Sequence, residues 1–157
     1  EACGGAVPLN AINPVWCRPA AAPYAAALIE NRPPDLALVR ETFRTLREQH
    51  RSLIVEGVGG WRVPITADYF VSDLAREFGL PVAVVVRNRL GALNHTLLTV
   101  EAIRQSGVPY AGVIFNEADP PEDPAAATNR AVLEQLLGEP FLMVIGPGQK
   151  TLELGIA

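Results

Sequence analysis

Four short apolar runs, set apart by helix-patterned stretches, constrain this chain more than any other feature. The runs are Leu53-Ile54-Val55, Pro81-Val82-Ala83-Val84-Val85-Val86, residues 110–115 and residues 141–145. Runs that are apolar at successive positions mark parallel strands covered on both faces. Helical stretches fall between them at residues 72–78, 93–106 and 125–137. Strand alternating with helix predicts an α/β fold built on an open, mostly parallel, doubly wound sheet. Phe78-Gly79-Leu80-Pro81 and Ser106-Gly107-Val108-Pro109 read as one device used twice, a glycine helix stop and then a proline leading into a strand.

Ahead of the first run, residues 1–19 read as loop or extended segment. A short alanine-rich helix is expected over 20–30, closed by Asn31. A second is expected over 34–50, where Leu36, Val39, Phe43 and Leu46 form one apolar stripe. Pro34 would occupy its first turn, where a missing N–H costs nothing. No repeat or linker divides the chain, so one domain over residues 1–157 is expected.

Composition narrows the function classes. With 157 residues and 49% hydrophobic content there is material for one sizeable core. A net charge of −4 argues against a basic nucleic-acid footprint. No run approaches the ~18 apolar residues of a membrane span, and no secretory leader is read, so a cytoplasmic protein is expected. Cys3 and Cys17 have neither metal-ligand spacing nor the density of a disulfide scaffold. Twelve of the 13 basic residues are Arg, and Lys150 is the single Lys.

In an open parallel sheet, ligands bind outside the carboxyl ends of the strands, so the residues that follow each run are the candidates. After the first come Glu56, Gly57, Val58, Gly59 and Gly60. A carboxylate followed by glycines can ligate Mg²⁺ while bare backbone N–H groups approach phosphate oxygens. The same residues would also make a tight turn beside an exposed Glu. Arg62 stands where a dinucleotide fingerprint needs a third glycine, and Gln149 interrupts any phosphate loop ending at Lys150. After the second run, Arg89-Leu90-Gly91-Ala92-Leu93-Asn94-His95 opens a helix whose N-terminal N–H groups can hold an anion such as a carboxylate. Plain helix initiation, with Asn94 capping and His95 in the first turn, reads as well. Asn116, placed just past the third run, offers a donor and an acceptor to a base edge such as adenine. It equally suits an Asx turn.

These residues together resemble a known family. Residues 53–65 (L-I-V-E-G-V-G-G-W-R-V-P-I), 80–103 (L-P-V-A-V-V-V-R-N-R-L-G-A-L-N-H-T-L-L-T-V-E-A-I) and 110–117 (Y-A-G-V-I-F-N-E) resemble dethiobiotin synthetase of biotin biosynthesis. Residues 10–24 resemble that family's N-P-Y…P…S-P-H stretch, with Tyr24 where a His is usual.

The resemblance implies a sheet of the P-loop NTPase type and an ATP- and Mg²⁺-dependent cyclo-ligase. Such an enzyme closes a ureido ring on 7,8-diaminononanoate with CO₂, by way of a carbamate and a carbamic-phosphoric anhydride. On that basis Glu56 would ligate Mg²⁺, and Gly57, Val58 and Gly59 would lie beside the nucleotide phosphates. Asn116 would read adenine with Glu117 adjoining it. Gly146, Pro147 and Gly148 would form the adenine-side loop, and Glu153 a nearby nucleotide contact. Gly91, Ala92, Leu93 and Asn94 would cradle the substrate's carboxylate tail across a homodimer interface.

The sequence departs from the family in one respect. Family members begin with a strand, a G-x-x-x-x-G-K-T phosphate loop and its helix, then a strand bearing a catalytic lysine and an aspartate Mg²⁺ ligand. None of these stands in the 157 residues, so no catalytic residue is assigned and no synthetase activity is expected of them alone. Because the first residue is Glu1, the reading expects the C-terminal two-thirds of such a domain, from an incomplete reading frame or a degenerate homologue. Two rivals stand beside it. One is a P-loop-less remnant that dimerises through residues 93–106 and regulates a partner. The other is a fragment of a cobyrinate or cobyrate amide synthase, which has a similar E-G-x-G-G stretch.

Overall fold

Three of the four apolar runs become strands of one parallel sheet in the computed structural model, which describes residues 7–117 and 124–149. The elements in order are α1 (Leu9–Ile12), α2 (Pro23–Glu30), α3 (Leu36–Gln49), α4 (Val71–Phe78), β1 (Val82–Arg87), α5 (Ala92–Ser106), β2 (Tyr110–Asn116), α6 (Ala126–Leu137) and β3 (Met143–Ile145). The chain divides into two units, Glu1–Phe78 and Gly79–Ala157.

The second unit contains the sheet, in the order β1-β2-β3. Parallel neighbours need a crossover, and α5 and α6 supply the two crossovers. Val86, Val113 and Phe115 from the strands, with Ala92, Val100 and Leu133 from the helices, make its buried core. The ring of Phe115 stacks on Phe141 with centroids 5.0 Å apart. Gly79, Gly107 and Gly138 all take positive φ after helices, as expected of glycine stops. The register slips between Val82 and Ala83, where Ala83 pairs with Gly112 and leaves Ala111 over. Gly112 accommodates that bulge with φ +132, and a Cβ there would come within 2.6 Å of Leu142 Cγ.

In the first unit, α3 begins at an Asp35 cap whose Oδ1 accepts from the Leu38 N–H at 2.9 Å. Arg40 on α3 forms a fork with Glu77 on α4 at 2.5 and 3.0 Å, and the Tyr69 hydroxyl donates to the same carboxylate at 2.6 Å. The rings of Phe43 and Phe78 stack 3.8 Å apart. Asn31 closes α2 at φ +48, a conformation that asparagine tolerates better than most residues.

Several expectations are corrected. The run Leu53-Ile54-Val55 is not a strand; it is irregular and Ile54 is 91% exposed. A strand exists through its ladder, and among the described residues these three find no ladder partner. One turn of helix, α1, interrupts the loop expected over 1–19, closed by the Asn13 N–H donating to the Leu9 carbonyl at 2.7 Å. Pro34 lies before the cap of α3 instead of in its first turn. Asn94 does not cap α5, because the chain turns into that helix at Gly91 and Asn94 falls within the first turn. Among the described residues no helix is long and apolar enough to cross a membrane.

Candidate functional site

The three strands end level with one another. Arg87 pairs with Asn116 and Asn116 with Ile145, so Asn116 is the last residue of the central strand and not, as expected, just beyond it. The ladder continues one step past the strands. The Asn88 N–H donates to the Asn116 carbonyl at 3.0 Å and the Glu117 N–H to the Ile145 carbonyl at 2.8 Å. The backbone on both sides of Asn116 is therefore fixed, and its half-buried side chain sits at the centre of the carboxyl edge. Glu117 is held as well. Its Oε1 accepts from Asn88 Nδ2 at 3.2 Å and its Oε2 faces the Arg130 guanidinium at 3.9 Å.

Gly91 carries φ +90, which only glycine adopts without strain, and the Ala92 N–H closes the preceding turn on the Arg89 carbonyl at 3.1 Å. Ala92 is buried and Leu93 half-buried, so both serve packing through their side chains, while Asn94 and His95 are exposed. With the Ala92 N–H spent on Arg89, what Gly91 and Leu93 offer an anion is main-chain N–H. No side chain caps this helix start. Gly146, Pro147 and Gly148 form a turn after β3. It is closed twice by Gln149, whose Oε1 accepts from the Gly146 N–H at 3.1 Å and whose N–H donates to the Gly146 carbonyl at 3.3 Å. Glu153, expected nearby, lies outside the described residues.

Glu56 and the glycines after it belong to the first unit. All of residues 54–60 are exposed, Glu56 included. Two of the glycines are required sterically. A Cβ on Gly57 would sit 3.0 Å from Val71 Cγ1, and one on Gly59, at φ +71, would sit 2.9 Å from Val63 Cγ2. Gly60 meets nothing, so its lack of a side chain is not a packing requirement. The segment turns back through the Val63 N–H to the Gly60 carbonyl and the Ser72 N–H to the Trp61 carbonyl, each at 3.0 Å. The result is bare backbone beside a solvent-facing carboxylate. It is not the strand tip that the sequence leads one to expect.

The comparisons with known proteins come down on one family. A family model described as an AAA domain matches residues 4–151. The ATP-dependent dethiobiotin synthetase of Akkermansia muciniphila is 39% identical over 94% of this chain and 70% of that protein. The chain belongs to the dethiobiotin synthetase family. The enzyme of that name from Anaeromyxobacter dehalogenans strain 2CP-C is 46% identical over 87% of this chain, and the one from Bacillus subtilis is 38% identical over 85%. The chain spans 58% to 70% of the length of these three relatives. The α/β architecture with its parallel sheet is thus that of the P-loop NTPases, as the resemblance implies.

For a dethiobiotin synthetase, sequence reasoning passed over two residues. Asn129 on α6 is 1% exposed and donates through Nδ2 to Asn88 Oδ1 and to the Arg89 carbonyl, both at 3.0 Å. Asn88 in turn donates to the Ala126 carbonyl at 2.9 Å as well as to Glu117. An asparagine just past the first turn of a helix is a poor helix former and needs partners when buried, a signal that was there to be read. Among the described residues no three His, Cys, Asp or Glu side chains gather as a metal site.

Proposed function

We propose that this chain is part of an ATP- and Mg²⁺-dependent cyclo-ligase that forms the ureido ring of dethiobiotin from 7,8-diaminononanoate and CO₂ in the cytoplasm. The observation that carries the reading is Asn116 at the carboxyl end of the central strand, level with the ends of both neighbours. That is where a parallel sheet receives its ligand, and a carboxamide can answer the donor and acceptor of an adenine edge together. Glu117 adjoins it, and the turn of Gly146, Pro147 and Gly148 would flank the base on the β3 side. The helix start at Gly91, Ala92, Leu93 and Asn94 would take the carboxylate tail of the substrate, in a homodimer, on main-chain N–H groups other than that of Ala92, which is bonded to Arg89.

Glu56 fits one position in a Mg²⁺ shell. It is an exposed hard oxygen donor, and Mg²⁺ bound with nucleotide needs only one or two carboxylates beside phosphate oxygens and water. The exposed backbone at Gly57 and Gly59 carries no side chain that would keep phosphate oxygens from its N–H groups. When bound, the ion would neutralise charge on the phosphates during phosphoryl transfer. This chain's own contribution is to hold the base, the phosphates and the substrate tail.

Titration of Mg·ATP into the isotopically labelled chain, followed by nuclear magnetic resonance, tests the assignment. Weak, millimolar binding is expected, with shifts confined to residues 56–59, 116–117 and 146–148. A response elsewhere, or none at these positions, removes the nucleotide reading. In a dethiobiotin-forming assay the 157 residues alone are expected to give no product, because they hold no lysine except Lys150 to offset phosphoryl charge. Turnover would show that the lysine loop is dispensable.

A further inference from the structure

We infer that Asn129 and Asn88 are positioning residues that fix the end of β2, and that Glu117 is the carboxylate by which that end is held rather than a group that contacts the nucleotide. The inference rests on the nucleotide reading of Asn116 and goes beyond it, by assigning how the backbone that carries that side chain is held.

Asn129 is enclosed on α6 at 1% exposure, where a polar side chain loses its solvation and an apolar one would not. Its Nδ2 instead spends both hydrogens on the turn after β1, one on Asn88 and one on the Arg89 carbonyl. The Asn88 carboxamide is engaged at both ends. Its oxygen accepts from Asn129, while its nitrogen reaches the Ala126 carbonyl and Glu117 Oε1. Because Oδ1 is committed to a donor, the amide of Asn88 cannot flip without breaking three bonds. Glu117 is thereby held between Asn88 on one oxygen and Arg130 on the other.

The chain of contacts thus runs from α6 to the end of β1 and on to the end of β2. Asn116 lies between its two backbone anchors, the Asn88 and Glu117 amides. Chains of buried hydrogen bonds specify one arrangement more sharply than apolar packing does, since each partner left alone is costly. An adenine-reading carboxamide needs a fixed backbone to project from, since its donor and acceptor must both meet the base edge. Asn88 at 3.2 Å and Arg130 at 3.9 Å turn the two carboxylate oxygens of Glu117 toward the protein.

Asn129→Asp keeps the volume and removes both donors; Asn88→Ser, at a half-buried position, removes the whole carboxamide with its bonds to Asn129, Ala126 and Glu117, and serves if the first variant folds poorly. Amide hydrogen exchange of the full chain is the first readout. Exchange at Asn88 and Glu117 should quicken about tenfold, the value of one net hydrogen bond, while Val113 and Phe115 in the strand stay protected. Uniform acceleration, or none at the strand ends, overturns the clamp. The second readout is the Asn116 side-chain amide signal on adding adenosine monophosphate. It should move in the wild type, and about ten times more nucleotide should be needed in Asn129→Asp. If it moves equally in both, Asn129 does not position Asn116. If it moves in neither while exchange behaves as expected, the adenine reading fails and the clamp alone survives. Glu117→Gln separates the last point: loss of nucleotide response with unchanged exchange at Asn88 would make Glu117 a ligand contact and overturn its assignment as a holder.

Discussion

In residues 79–157 a parallel sheet gathers Val86, Val113 and Phe115 over Ala92, Val100 and Leu133. In residues 1–78 the side chains that meet include Arg40, Tyr69 and Glu77, Phe43 on Phe78, and Arg62 over Phe70. One unit is organised by strands that share a ladder; the other has α2, α3 and α4, one turn of α1 and a long irregular stretch. The difference explains the two kinds of candidate site. At the sheet, Asn116 is placed by its neighbours in register. Near Glu56 nothing regular lies on either side, and the backbone is shaped by what Gly57 and Gly59 must avoid. A base edge needs the first kind of precision, whereas flexible phosphates and a hydrated ion tolerate the second.

The contrast predicts where substitutions hurt most. Phe115 is fully buried and stacked on Phe141, so Phe115→Ala should cost about 3–5 kcal/mol in a denaturant titration. Phe43, also stacked but only half-buried, should cost clearly less when cut to Ala. Equal losses would mean that the first unit carries a core of the same kind, and the comparison would fail. Gly112→Ala comes next, at about 1–3 kcal/mol. Its Cβ would need the space of Leu142 and its φ is +132, so the added methyl meets both a clash and an unfavourable backbone. Combining it with Leu142→Ala should recover the steric part and leave the conformational part, which separates the two.

How much of this was legible beforehand follows the same division. The runs at 81–86, 110–115 and 141–145 were found because each is apolar at successive positions, even though Val85 is 63% exposed and Leu142 45%. The glycine stops at Gly79 and Gly107 were equally plain, since positive φ after a helix leaves few alternatives. The run at 53–55 shows the limit. Three apolar residues describe what a strand would contain, and a strand also needs a partner that composition cannot supply. Asn88 and Asn129 were missed for a related reason. They are 41 residues apart, and their meeting depends on the crossover through α5 and β2. Glu56 was legible as a solvent-facing acid beside necessary glycines, but its expected seat on a strand was not, because that seat depended on the run before it.

The smallest expected effect belongs to the Arg40, Glu77 and Tyr69 group, and it sharpens the comparison through pH. The Arg40 fork, then the Tyr69 hydroxyl, hold the Glu77 carboxyl below its usual 4.5. A carboxyl that ionises more readily when folded lends stability above pH 4.5, and that contribution is lost as pH falls through the lower folded value. Burial, then its bond to Glu77, pushes the Tyr69 phenol up to about 12 from 10.0. A phenol that resists ionisation when folded contributes fully below pH 10 and ceases to as pH rises through about 12. Both limbs pass through Glu77, whose pair with Arg40 is more than a third exposed on each side. Screening therefore keeps the pair's contribution small near neutrality. Glu77→Gln should lower stability only slightly, flatten the acid limb and reduce the alkaline one, where the burial of Tyr69 persists. Denaturant titrations from about pH 3 to pH 12 check this, and the same limbs in Glu77→Gln would show that this group does not hold the first unit together. Phe115→Ala, whose ring carries no charge, should shift the whole pH curve down and leave its shape alone.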